Sequence, residues 1–137
     1  MKVNEVRLGN LVNGVDERFP IHRVSSVKGN SIETQPFSSV SWTSISEVSE
    51  VDGHLPIIPF RISQDWMVRL GFKVEAENDG DKIYMHPEAK DELRFVTNDA
   101  NTAVRFANQE LVKVKYVHQL QNLFFCLTGQ ELALSTK

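Results

Sequence analysis

The sequence predicts an α+β protein: a group of short strands first, then an antiparallel sheet packed by a C-terminal helix. Three observations predict it. β-branched and apolar residues come in short runs punctuated by Gly, Pro, Asn and Asp along most of the chain. Only the segment from Tyr116 to Thr128 sustains apolar residues at three- and four-residue spacing over several turns. The 137 residues, 41% hydrophobic and 24% charged, suit one domain or two small ones with a core that needs no disulfide.

The elements follow in order. Val3, Val6 and Leu8 lead into Gly9-Asn10, and Leu11-Val12 with Asn13-Gly14 reads as a short strand and its turn, so the first element is expected to be β. Phe19, Ile21, Val24 and Val27 form a strand broken by Pro20. The Lys28-Gly29-Asn30 turn then returns the chain through Ile32 as a hairpin. Residues 38 to 51, rich in serine around Val40, Trp42, Ile45 and Val48, predict an edge strand or an irregular loop.

Pro56 and Pro59 confine the next stretch to extended backbone and mark a boundary. The expected organisation is a β-rich subdomain over 1–54, a proline-rich connector over 55–62 and an α+β subdomain over 63–137. An SH3-like partial barrel is one form open to the first.

Ser63 is a natural N-cap for a short helix with Trp66, Met67 and Leu70 on its apolar stripe. Gly71-Phe72 supplies a Schellman-type end. Lys73 to Ala76 and Lys82 to His86 flank a hairpin turn at Asn78-Asp79-Gly80-Asp81. Runs at Leu93 to Thr97, Ala103 to Ala107 and, past a turn at Asn108, Leu111 to Val114 bring the sheet to about four strands with one solvated face. The last helix places Val117, Leu120, Leu123, Phe124 and Leu127 toward the sheet and stops at Gly129.

Charge and motifs narrow the function. Fifteen basic residues stand against 18 acidic ones, a net of −3, and the part up to Ile58 has 5 basic and 7 acidic residues. Proteins that live by neutralising phosphates usually carry a basic excess. The single Cys126 allows no intramolecular disulfide. No apolar run approaches the length of a membrane span and the N-terminus has no apolar leader core, so a cytoplasmic protein is expected.

Glu75 to Asp81 loosely follows a calcium loop, but His86 stands where the bidentate glutamate belongs, so a solvated hairpin turn is the reading. His22, His54, His86 and His118 fall at even spacing in unrelated contexts, without zinc-ligand spacing, and are assigned to surface or helix-start positions. Cys126, beside Phe124-Phe125, reads as a small buried hydrophobe. Gly-rich phosphate loops and the G-x-S-x-G elbow are absent, and no cofactor or metal is expected. Aromatics beside cations, such as Arg94-Phe95 and Arg105-Phe106, are weighed as core residues next to solvated arginines rather than as stacking platforms.

YVHQLQNLFFCLTGQEL (Tyr116 to Leu132), VRLGNLV (Val6 to Val12) and LPIIPFRISQDWMVRLGF (Leu55 to Phe72) together resemble a family of short uncharacterised proteins of Bacteroidetes genomes and prophages. The segment from Gly14 to Gly53 lies outside that resemblance. No activity attaches to the family, so it transfers no site residue. It implies a small accessory protein in a bacterial cytoplasm.

The expected function is a non-enzymatic interaction protein. Its contact surface would be the uncharged helix face of Gln119, Gln121 and Asn122 or the N-terminal strands, and its partner another protein or a second copy of the chain. The alternatives are a nucleic-acid-binding module using Arg94, Arg105, Lys113 and Lys115 and, after that, an enzyme whose site assembles only in space.

Overall fold

Short β runs between turn signals fold into two antiparallel sheets, one in each of two units, Met1–Phe60 and Arg61–Lys137. In this computed structural model the chain is described apart from residues 14–20, 39–40, 43–44, 79, 90–92, 99–101, 107–108, 133 and 135–137. The expected turn at Gly14, the start of the second β run at Arg18 to Pro20 and the turn positions Asp79 and Asn108 lie outside the described residues.

The first element is a 3-10 turn over Val3–Glu5 rather than a strand, and the strand expected at Leu11-Val12 follows it. The Glu5 carboxylate accepts the Lys2 N–H at 3.1 Å and favours the turn over extended backbone. Strands β1 (Leu11–Asn13), β2 (Ile21–Val27) and β3 (Ser31–Ser38) follow as a meander. The serine-rich stretch supplies β4 (Ser41–Trp42) and β5 (Ser46–Ser49). Both pair with β3, β5 along Ser31 to Thr34 and β4 at Phe37 and Ser38. Pro36, which has no N–H to give to a ladder, sits between the two.

A bulge between Val24 and Ser26 adds one residue to β2. Val12, Val24, Ile32 and Val48 form the core face with Val3 and Val6, and Leu55 and Ile57 from the proline-rich stretch are buried with them. The sheet is not a closed barrel. Beyond β1 the described residues add the single antiparallel bridge of Asn13 to Ile58.

The second unit starts with α1 (Gln64–Arg69), capped as its sequence predicts. The Ser63 hydroxyl accepts the Trp66 N–H at 3.3 Å. The Phe72 and Gly71 N–H groups bond back to Met67 and Val68 in a full Schellman pattern, with Gly71 at φ +92°. Five strands follow rather than about four: β6 (Lys73–Asn78), β7 (Asp81–Met85), β8 (Leu93–Thr97), β9 (Thr102–Phe106) and β10 (Gln109–Val114), in the order β10-β9-β8-β7-β6.

Alternation along β8 sends Leu93, Phe95 and Thr97 inward and leaves Arg94 and Val96 on the other face. Tyr84, Phe95 and Val104, opposite one another in register, are almost wholly buried. α2 (Val117–Thr128) packs on this inner face. Its Phe124 ring lies 6.1 Å from Phe72 and 6.2 Å from Phe95, and Gly129 ends it in the left-handed conformation. No helix among the described residues is long and apolar enough to cross a membrane.

Candidate recognition surface

The uncharged α2 face does not assemble as a surface. Gln121 is 1% exposed, and its Nε2 donates to the Leu132 carbonyl at 3.2 Å, pinning the tail that follows the helix. Gln119 is exposed, but its Oε1 accepts the backbone N–H groups of Lys115 and Tyr116 at 3.1 and 3.2 Å and serves as a helix cap. Asn122 is half-buried. Position 121 lies one helical turn beyond Val117, on the buried stripe, so the helix places this glutamine inward where polarity alone places it outward. Cys126 corrects in the opposite sense: it is exposed.

Two histidines expected at surface or helix-start positions are buried in strands or just after one. The His22 Nδ1 lies 3.0 Å from the Thr34 hydroxyl on the core face of β2. His86, 9% exposed, packs edge-on between Phe72 and Phe124, with ring centroids 4.9 and 4.8 Å away. Its Nε2–H donates to the Leu70 carbonyl at 3.1 Å and its Nδ1 accepts the Glu88 N–H at 3.1 Å. Burial holds the ring below its usual pKa, against smaller upward pulls from the Leu70 carbonyl and Glu88. His54 is exposed, and His118, at the start of α2, is buried and stacks on Tyr116. Among the described residues no three His, Cys, Asp or Glu side chains group as metal ligands.

Of the four cations weighed as nucleic-acid contacts, Arg94, Arg105 and Lys113 share the outer face of the second sheet. Arg94 and Arg105 stand directly opposite each other. They are interleaved with acid: Arg94 pairs with Glu75, and Lys113 lies 3.9 Å from Glu110. Lys115 follows β10 and is exposed. The aromatics needed for stacking are absent from the described part of that face, since Phe95 and Tyr84 point into the core. A groove of about 550 Å³ in the first unit runs past Lys2, Glu50, Asp52 and His54 over Val3 and Val6. Its Glu50 is occupied by the Val3 N–H at 3.1 Å.

The most organised exposed cluster lies elsewhere. His22 and Val24 face the core, so alternation turns Ile21 and Arg23 to the other side of β2. Gln35 and Phe37, flanking buried Pro36, turn the same way on β3, where Arg23 and Gln35 are direct partners. Trp42 on β4 is the direct partner of Phe37. The result is a continuous ladder. Arg23 Nη2 donates to Gln35 Oε1 at 2.7 Å, and the guanidinium carbon lies 4.4 Å from the Trp42 ring centroid. The Trp42 ring meets Phe37 edge-on at 5.0 Å.

All four side chains are half-buried. Leu11, the register partner of Arg23 on β1, is buried, so the open part of the face is its β3–β4 side. Further along β3, Lys28 binds Glu33 at 3.0 Å and Glu47 at 3.2 Å, and the two carboxylates, Glu33 foremost, raise its pKa. The cluster joins three strands, which is why no spacing in the sequence announces it. The one local signal is the pair of aromatics, Phe37 and Trp42, flanking a serine-rich stretch. Comparison of the chain with protein-family models, curated proteins and solved structures gives no match.

Proposed function

We propose that this protein is a non-enzymatic interaction protein that recognises another protein through the Arg23–Trp42 face of its first unit. The observation that carries the reading is the ladder itself. A tryptophan, a phenylalanine and an arginine are half-exposed on one sheet face, with the arginine already held by Gln35 and by the indole. Trp and Arg dominate the binding energy of protein interfaces, and a side chain ordered in advance loses less entropy on binding. The setting proposed is the cytoplasm of a bacterium, as a small prophage-type accessory protein. An acidic first part, with 5 basic and 7 acidic residues up to Ile58, supports a protein partner over a nucleic acid.

The test is site-specific photo-crosslinking in the cells that make the protein. A benzophenone amino acid is placed at Gln35 or, for comparison, at Lys73 on the second sheet's outer strand β6. Discrete adducts from position 35 that vanish with Trp42→Ala support the reading. Adducts from position 73 alone, or adducts from 35 indifferent to Trp42, refute it.

A further inference from the structure

We infer that the Arg23–Trp42 face takes an extended peptide segment carrying a carboxylate, with an apolar side chain two residues to one side and a cation two residues to the other. This rests on the recognition reading above. The chemistry is laid out along one strand. Glu33, Gln35 and Phe37 alternate on the same face of β3 and carry three different neighbours across the ladder: Lys28 with Glu47, Arg23, and Trp42.

Alternate residues of a strand stand about 6.5–7 Å apart. An extended peptide laid along β3 presents every second side chain at that spacing. Its groups then meet, in turn, a pair of carboxylates bridged by one lysine, an arginine and an aromatic corner.

Arg23 selects for a carboxylate. Its guanidinium carbon lies over the indole ring, its N–H groups lie in the plane of the guanidinium, and one of them is spent on Gln35. The remaining in-plane donors suit a planar two-oxygen acceptor. Gln35 accepts that bond through Oε1, which leaves its own amide N–H groups as further donors beside the arginine.

The aromatic corner takes the apolar side chain, because Phe37 and Trp42 meet edge-on rather than face to face and leave an apolar angle between them. At the other end Lys28 neutralises only one of the two glutamates it bridges, so that end favours a cation. A nucleic-acid backbone laid on the same track would run its phosphates over Glu33 and Glu47, which sets the occupant as a peptide.

The experiment uses the full chain with Trp66→Phe, which leaves Trp42 as the only one of the two tryptophans. Its emission is titrated with acetyl-Lys-Ser-Glu-Ser-Leu-amide and with the reverse sequence. A saturable change is expected for one or both. The change should weaken about tenfold or more when the probe's Glu is replaced by Gln, which keeps one acceptor oxygen but loses the charge and the bidentate pairing. Arg23→Gln should weaken it alike, and Arg23→Lys, which keeps the charge but loses the planar fork, should weaken it by less. Far-UV circular dichroism checks that each variant stays folded.

Equal binding of the Glu and Gln probes overturns the carboxylate inference. So does a short oligothymidylate that binds more tightly than either peptide. No response to any probe, with Trp42-dependent crosslinks from position 35 intact, overturns the peptide chemistry and leaves the recognition reading standing. Absence of both signals overturns the two together.

Discussion

Gly71→Ala tests the reasoning about the second unit most directly. Gly71 sits at φ +92° at the end of α1, and a Cβ there would lie 3.1 Å from His86 Nε2. Two costs add. An L-residue held at positive φ loses roughly 1–2 kcal/mol. Crowding a well-packed site costs roughly 1–3 kcal/mol more, because His86 is wedged between Phe72 and Phe124 and tied to Leu70 and Glu88. Alanine recovers about 0.4–1 kcal/mol by stiffening the unfolded chain. The expected loss is about 2–4 kcal/mol.

Gly129→Ala is the matched control. It too ends a helix at positive φ, +74°, but a Cβ there meets nothing within 4 Å. Strain alone, less the unfolded-state gain, predicts a loss of about 1 kcal/mol. Urea unfolding is followed by Trp66 fluorescence in a Trp42→Phe background, so that the reporter belongs to the second unit. If Gly71→Ala costs no more than Gly129→Ala, the close approach to His86 contributes nothing and the account of this junction is wrong.

Three further outcomes are expected. Burial keeps His86 neutral below its usual pKa of 6.5, so on acidification the unfolded chain takes up this proton before the folded one. The second unit should therefore lose stability as the pH falls below about 6.5, and urea midpoints for His86→Gln should show a flatter slope over that range. Gln121→Ala leaves the Leu132 carbonyl without its side-chain donor and should cost about 1–3 kcal/mol, with faster amide exchange in the residues after Gly129. Ser63→Ala removes the α1 cap and should cost about 0.5–2 kcal/mol in the same unfolding assay, while Ser63→Thr should recover most of it.

Sequence by itself determined the elements whose signals are local. Ser63 and Gly71-Phe72 bound α1 because a cap and a Schellman end are made within one turn of backbone. Lys28-Gly29-Asn30 and Gly80 place two hairpins for the same reason, and the apolar spacing from Val117 to Phe124 announces α2. The α+β class follows from these alone.

Tertiary structure decided everything that depends on what a side chain meets. Gln121 is polar in the sequence and buried in the fold, because the chain beyond α2 returns a carbonyl to it. Cys126 and His86 exchange their expected exposures because the helix stripe and the α1–β7 junction, not residue type, set burial. The Arg23, Gln35, Phe37 and Trp42 ladder joins β2, β3 and β4. Which faces meet across a sheet is set by register, and register is a long-range choice: one added residue, such as the bulge between Val24 and Ser26, reverses which side chains share a face.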